Sequence, residues 1–429
     1  MRLPLFFIVL LLFNCLTQAQ NWIIEEVGKL PFKTSNNAVT LAYEKGQPLI
    51  YSFCGIDSTL DYGGIHLKAG SVNINTGESI QYGDVPDTLG KIAAGASTVK
   101  NKIYIIGGYH VLANGSEISS NKVHCFHVEN EKWEADRTNI PIAIDDHVQA
   151  VWQDSLIYVI TGWSDTKNVP NVQIYNPDSD LWSEGTSVPN NNQYTAFGAS
   201  GTIIGNTIYY LGGASMGTNF PSTFRLRIGN INPQNPTQIA WRDSLLTISD
   251  KYYRAACTSV SGFPTWLGGS SMTYNYNGLS YATNTAVQPS NQSLLLLNSA
   301  LSLRITNNNL PMDLRGIGEL NSTMKVIAGG MYANREVSNR VIKLTWGYPV
   351  GIENIDQQKI TVYPNPTRTG ILYLSKKCDV KVYSLTGQLM YKEKTDQINT
   401  RKWASGLYTL LIQNDDRQLV SKIIVAGSL

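Results

Sequence analysis

Lys102-Ile103-Tyr104-Ile105-Ile106-Gly107-Gly108 is a β-branched, apolar run that ends in a glycine pair. The same run and pair, or its remnant, recurs at Cys54-Gly55, Thr161-Gly162, Gly212-Gly213, Gly268-Gly269 and Gly329-Gly330, at intervals of 51 to 61 residues. Ile157 to Ile160, Thr207 to Leu211 and Lys325 to Ala328 have the side chains of strands. One such strand in each period of about 50 residues predicts the blades of a β-propeller, six of them here. The runs read as second strands of four-stranded blades. The glycines end them where inner strands crowd the axis and a side chain would clash.

Downstream of the pair, three copies share a third strand, a polar turn and a tryptophan that opens a fourth strand. These are Val123 to Glu129 with Trp133 and Pro141, Val172 to Tyr175 with Trp182 and Pro189, and Arg225 to Ile228 with Trp241. Such tryptophans are expected to pack between blades. The pattern resembles the kelch repeat over roughly residues 21 to 347, best in copies two to four. The last copy stops after a third strand at Arg340 to Thr345, while Trp22 to Leu30-Pro31 has the form of a fourth strand without the other three. The N-terminal strand is therefore expected to complete the sixth blade and hide the edges of an open ring.

The domains read as a signal peptide at 1–19, the propeller at 20–347, a linker at 348–358 and a second β domain at 359–429. Arg2, the apolar run Leu3 to Phe13 and Thr17-Gln18-Ala19 follow the order of a cleavable secretory signal. The alternative, a lipoprotein signal acylated at Cys15, fits Phe13 and Asn14 poorly. No other segment is long and apolar enough to span a bilayer, so the mature chain is expected to lack a transmembrane segment. Cys54, Cys125, Cys257 and Cys378 are read as free and buried, with Cys54 and Cys125 on neighbouring blades as the one plausible bridge.

In the last 80 residues, short strands are expected at Ile360 to Tyr363, Ile371 to Leu374, Val380 to Ser384, Gln388 to Tyr391, Leu407 to Gln413 and Gln418 to Val425, forming a small Ig-like β-sandwich. Val362-Tyr363-Pro364-Asn365-Pro366, Val382-Tyr383-Ser384-Leu385-Thr386-Gly387-Gln388, Ser405-Gly406-Leu407-Tyr408 and Lys422-Ile423-Ile424-Val425 stand in order at the C-terminus. Together they resemble the C-terminal sorting domain of type IX secretion substrates. That resemblance implies a bacterium of the Bacteroidota group and export across both membranes. It also implies secretion or attachment to the outer cell surface, with the secretion machinery and a sorting-domain peptidase as partners. Asp87-Thr88-Leu89, Asp154-Ser155-Leu156 and Asp243-Ser244-Leu245 resemble the O-glycosylation sequon of the same group.

A propeller's site is expected where loops entering the first strands meet loops leaving the second, at one mouth of the channel. Counting 14 residues back from each pair selects Ala93, His147, Arg254 and Arg315, and, with short insertions allowed, Asn37 and Tyr194 to Thr195. Two arginines facing one axis either pair with Asp145, Asp146, Asp250, Asp313 and Glu319 or hold a carboxylate or acidic sugar. Tyr109, Trp163 and Tyr332 in the outgoing loops supply aromatic faces suited to a sugar. The insertion from Met272 to Ser290, with Tyr274, Tyr276 and Tyr281, reads as a lid or rim.

Other chemistries find no support. Charged residues are 15% and the net charge +2, with no basic stripe suited to nucleic acid. His124 and His127 fall on opposite faces of one strand, Asp178-Ser179-Asp180 is turn chemistry, and neither a nucleophile triad nor a metal or cofactor motif occurs. The copper and tyrosine-cysteine constellation of kelch-like galactose oxidases is not recognisable. The expected function is thus an exported propeller that binds a glycan or protein through its loop face. The alternative is a sugar mutarotase, through resemblance in blade number and convergent arginines to the kelch-type N-acetylneuraminate epimerases. There Arg254 and Arg315 would be clamps and Glu319, Asp146 or His147 the acid-base candidates.

Overall fold

The computed structural model describes residues 21–246, 251–297, 302–306, 309–347, 362–365, 367, 370–384, 388–414 and 417–425. The stretches read as signal and linker, Cys15, Asp250, Pro366 and Leu385-Thr386-Gly387 lie outside them. The chain divides into two compact units, residues 1–349 and 350–429.

The first unit is a six-bladed kelch-type propeller. Blade 1 runs from the inner strand Ala38–Glu44 through Gln47–Ile56 and Ile65–Asn73 to the outer strand Ser79–Tyr82. Blade 2 repeats the order with Ile92–Val99, Lys102–Val111, Val123–His127 and Lys132–Trp133, and blade 3 with Val148–Trp152, Leu156–Ile160, Val172–Asn176 and Leu181–Gly185. Blade 4 is Phe197–Ile204, Thr207–Ala214, Arg225–Asn232 and Asn235–Leu245, and blade 5 is Ala256–Val260, Phe263–Leu267, Gln292–Leu296 and Ser302–Thr306. Blade 6 supplies Gly318–Glu319, Met324–Ala328 and Arg340–Gly347, and Asn21–Lys29 pairs antiparallel with the last of these, Trp22 opposite Trp346. The ring therefore closes with the N-terminal strand, as the Trp-to-Pro segment predicts.

The glycine pairs join neighbouring blades. Gly213 N donates to Tyr252 O at 2.7 Å and Gly269 N to Pro311 O at 3.1 Å; Gly330 N donates to Thr34 O at 2.9 Å, from the last blade to the first. Gly212, at φ +73°, would place a Cβ 1.8 Å from Tyr252 O, so both backbone conformation and close approach require glycine there. The tryptophans add a second link. Trp133, Trp182 and Trp241 each donate the indole N–H at 2.8 Å to a carbonyl outside their own sheet, on Gly83, Thr138 and Thr186. Cys54, Cys125, Cys257 and Cys378 are all free, so the Cys54–Cys125 bridge is not formed.

The second unit is a curled five-stranded sheet that folds over its own core as a small sandwich. Its strands are Val362–Tyr363, Ile371–Tyr383, Leu389–Asn399, Gly406–Asn414 and Arg417–Val425. The two strands expected at 371–374 and 380–384 are one. Its first part pairs with Val362–Tyr363 and its last part with Gly406–Asn414, so one long strand carries both neighbours. Leu372, Val380, Val382, Leu410, Ile412 and Ile423 form the core.

Candidate functional site

At the mouth the six blades meet through a ring of backbone hydrogen bonds. Ala93 N donates to Asn36 O, Asp146 N to Ala93 O, Gly198 N to Asp146 O, Arg254 N to Gly198 O, Leu314 N to Arg254 O, and Asn36 N to Asp313 O, at 2.8 to 3.2 Å. Asn36, Ala93, Asp146, Gly198, Arg254 and Asp313 all have positive φ, between +46° and +66°. This left-handed step turns each inner strand toward the axis.

The ring brings the predicted arginines and carboxylates together. Arg254 donates from Nη2 and Nε to both oxygens of Asp146, at 2.6 and 3.1 Å, and from Nη1 to Asp313 Oδ1 at 3.1 Å. Tyr253 and Tyr274 lie with their rings 5.2 and 5.4 Å from its guanidinium. Ser35 donates to the other oxygen of Asp313 at 2.7 Å. Arg315 donates from Nη2 to His147 O at 2.6 Å and stands 3.5 Å from Asp146 Oδ1. The four charged side chains are at most 4% exposed. Two carboxylates hold the Arg254 guanidinium well above its ordinary range despite burial, whereas burial prevails at Arg315 and lowers it. Burial, and the Asp146 charge beside it, push the Asp145 carboxyl well up, and burial raises Asp313.

Above the ring the mouth is capped. Ile92, Tyr109, Phe197, Tyr253, Met312 and Met331 pack with Tyr274 and Val287 of the 272–290 insertion, and Trp163, Phe220, Tyr276 and Tyr281 lean on that cluster. Tyr274 is fully buried, with its hydroxyl 3.4 Å from Asp313 Oδ1, so the insertion expected as a lid or rim is a plug reaching the ring.

Below the ring a chamber of about 370 Å³ follows the axis. Its inner end is lined by His147, Gly95, Leu314 and Arg315, its middle by Ser97, Gln149, Ser200 and Cys257, and its outer end by Leu41, Val151, Ile203, Ser259 and Glu319. Burial decreases in that order, and the Glu319 side chain is 46% exposed, so the chamber opens on the face opposite the cap.

The remaining predicted residues scatter. Asn37 donates to Ser52 Oγ and Ala328 O, stitching blade 1 to blade 6. Tyr194 sits in the core between blades 3 and 4 and donates to Asp243. Tyr109 and Trp163 belong to the cap, while Tyr332 lies under the Arg340 guanidinium at 5.2 Å. Glu319 stands four residues beyond Arg315, about 13 Å along an extended strand. Its carboxylate accepts from Thr258 Oγ1 and from Ser259 N at 3.1 Å. His147 is buried and near Arg315, both of which lower it to about 4; its Nε2 lies 2.9 Å from Gln149 Oε1. Asn36, Gly198 and Ser35, which complete the ring, were not among the expected residues. No cluster able to hold a metal occurs among the described residues.

With this geometry in place, comparison with known proteins defines the class. A kelch motif matches residues 93–135 and a secretion system C-terminal sorting domain matches 361–426. The chain is thus a kelch-type propeller carrying a type IX sorting domain, and so is exported. The solved structure of YjhT, 13% identical, covers 78% of this chain and 99% of its own at a TM-score of 0.58, a likeness of fold. The human kelch repeat and BTB domain-containing protein 12 is 24% identical over 155 residues, 34% of this chain. The match spans about a quarter of that relative's length.

Proposed function

We propose that the protein is an exported binding module that engages a glycan or protein through its loop face, after delivery by type IX secretion. The observation that carries this reading is the composition of the cap. Burial, and the charges of Glu117 and Asp61, raise the hydroxyl of the part-exposed Tyr276 of the insertion, so loops of blades 1, 2 and 5 come together at the cap. An aromatic face next to two carboxylates fits the apolar side and the hydroxyls of a pyranose. The mutarotase reading draws on the proximity of Arg254, Arg315 and His147. It also needs a free acid-base pair, whereas Asp146 is engaged by Arg254 on both oxygens and Glu319 is at the far end of the chamber.

The test is a glycan array probed with the full chain, followed by titration of any hit against Tyr276→Ala and Glu117→Gln. Loss of binding by roughly tenfold or more with an unchanged melting point supports the loop face. Equal binding by both variants sinks it. Proton-exchange NMR with N-acetylneuraminate tests the second reading, since a mutarotase accelerates exchange between anomers.

A further inference from the structure

We infer that the second unit carries a docking face for an anionic phospholipid surface, on the outer side of its sheet. Along the strand Ile371–Tyr383 the side chains alternate. Leu372, Leu374, Cys378, Val380 and Val382 are buried, while Tyr373, Lys377, Asp379 and Lys381 on the other face are exposed. The neighbouring strand Leu389–Asn399 sets Lys392 directly opposite Lys381, and Lys394 opposite Asp379. On the other side, Gly406–Asn414 sets Leu411 beside Lys381 and Gln413 beside Asp379. These six side chains line a groove of about 290 Å³.

Like charges directly opposite weaken a sheet, so the Lys381–Lys392 pair costs stability unless an anion lies between them. Lys377, Lys381, Lys392 and Lys394 make no ion pair among the described residues. Asp379 offsets one of these charges, whereas Glu393 stands opposite Val380 of the core row and accepts the Tyr391 hydroxyl at 2.8 Å. The asymmetry extends over the chain. Residues 359–429 hold eleven Lys and Arg against five Asp and Glu, while residues 20–347 hold 22 against 25. The second unit is thus the part that an anionic surface attracts.

The apolar neighbours favour a membrane over a soluble polyanion. Leu389, 47% exposed, stands opposite Tyr383 at the end of the lysine row. Toward the other end of the same strand, Tyr373 is 41% exposed and stacks at 6.0 Å on Tyr363, 52% exposed. Lysines on apolar stems, flanked by tyrosines and a leucine, suit a headgroup layer, where ammonium groups meet phosphates and the rings lie at the interface. A soluble polyanion has no use for the exposed rings. The face lies wholly within the second unit, so the inference stands or falls apart from the loop face.

The experiment is co-sedimentation of the full chain with vesicles of phosphatidylglycerol and phosphatidylethanolamine, with phosphatidylcholine vesicles as the neutral control. Binding to the anionic vesicles alone is expected, strong at about 0.05 M salt and lost at about 0.5 M. Lys381→Gln combined with Lys392→Gln and Lys394→Gln should weaken it by roughly tenfold or more at an unchanged melting point. Lys33→Gln combined with Lys132→Gln and Lys167→Gln removes the same charge from exposed positions of the propeller and should leave binding as it was. Tyr373→Ser should weaken vesicle binding as well. Absence of binding to the anionic vesicles overturns the inference, as does equal loss in the two triple variants. Capture of dextran sulfate without vesicle binding also overturns it, assigning the face to a soluble polyanion.

Discussion

Replacing Arg254 by Met should expose how the mouth is held together. The change removes three charge-assisted hydrogen bonds and leaves Asp146 and Asp313, each at most 2% exposed, without their principal cation. Arg315, 3.5 Å from Asp146, compensates one carboxylate in part, while Asp313 keeps only Ser35 and Tyr274. Breaking a buried pair in this way costs about 3–5 kcal/mol. For a propeller of this length the unfolding entropy is roughly 0.7 kcal/mol per degree, so the melting midpoint should fall by about 4–7 °C at pH 7. The pH dependence carries the sign. Without Arg254 the buried carboxyls have folded pKa values above their unfolded ones, so the folded variant binds the extra protons. Its deficit should be smallest near pH 4 and grow as pH rises through the raised values. Thermal unfolding of parent and variant at pH 4.5, 6 and 8 reads this, and Arg254→Met with Asp146→Asn and Asp313→Asn should recover most of the loss. A deficit below about 1 kcal/mol, or one equal at pH 4.5 and 8, would refute the reasoning.

Other perturbations separate the remaining parts. Gly212→Ala forces a Cβ onto Tyr252 O and should destabilise by at least about 2 kcal/mol, whereas Gly205→Ala, at φ +59° in open space, should cost about 1, both by thermal melts. His147 is lowered from 6.5 to about 4, so the unfolded chain takes up its proton first and stability is lost as pH falls from 6.5 to 4. His147→Leu should flatten that loss by up to about 3 kcal/mol in melts across the interval, leaving the similar share of His66. Trp241→Phe loses the bond to Thr186 O and should cost about 1 kcal/mol or more in denaturant titration. Deleting residues 359–429 should keep the propeller inside the outer membrane of a host with type IX machinery, read by cell fractionation; surface display of the truncated chain would contradict the role of the sorting domain.

The blades were legible because the glycine pairs answer to a local constraint, positive φ beside a neighbour's carbonyl, which at the first position only Cys54 and Thr161 meet with another residue. The ring was half legible. The count of 14 lands on Ala93 and Arg254, but falls one residue late at His147 beside Asp146 and two late at Arg315 beside Asp313. In blade 4 the same count lands on Gly198, whereas Tyr194 and Thr195 follow only if a short insertion is allowed, and the structure has none there. The other five ring residues adopt the same conformation with side chains; at 198 a Cβ would stand 2.3 Å from the Tyr253 ring. The cap was not legible, because whether Tyr109, Phe197 and Tyr274 face solvent or one another depends on loops of different blades meeting. Glu319 failed as a partner of the arginines for a related reason: four residues along a strand separate groups that look adjacent in sequence.

The contacts that make the mouth span large parts of the chain. Ser35 reaches Asp313 across 278 residues, Arg315 reaches His147 O across 168, and Arg254 reaches Asp146 across 108. The strand that closes the ring, Asn21–Lys29, and its partner, Arg340–Gly347, stand at opposite ends of the propeller sequence. The ring, the cap resting on it and the chamber beneath it therefore all depend on blades far apart in the chain. Buried charges are costly until all are paired, so an incomplete propeller has every reason to stay open at the mouth and no means of presenting the loop face. A chain cut before Arg340 should accordingly show no binding at the loop face, in the same array experiment.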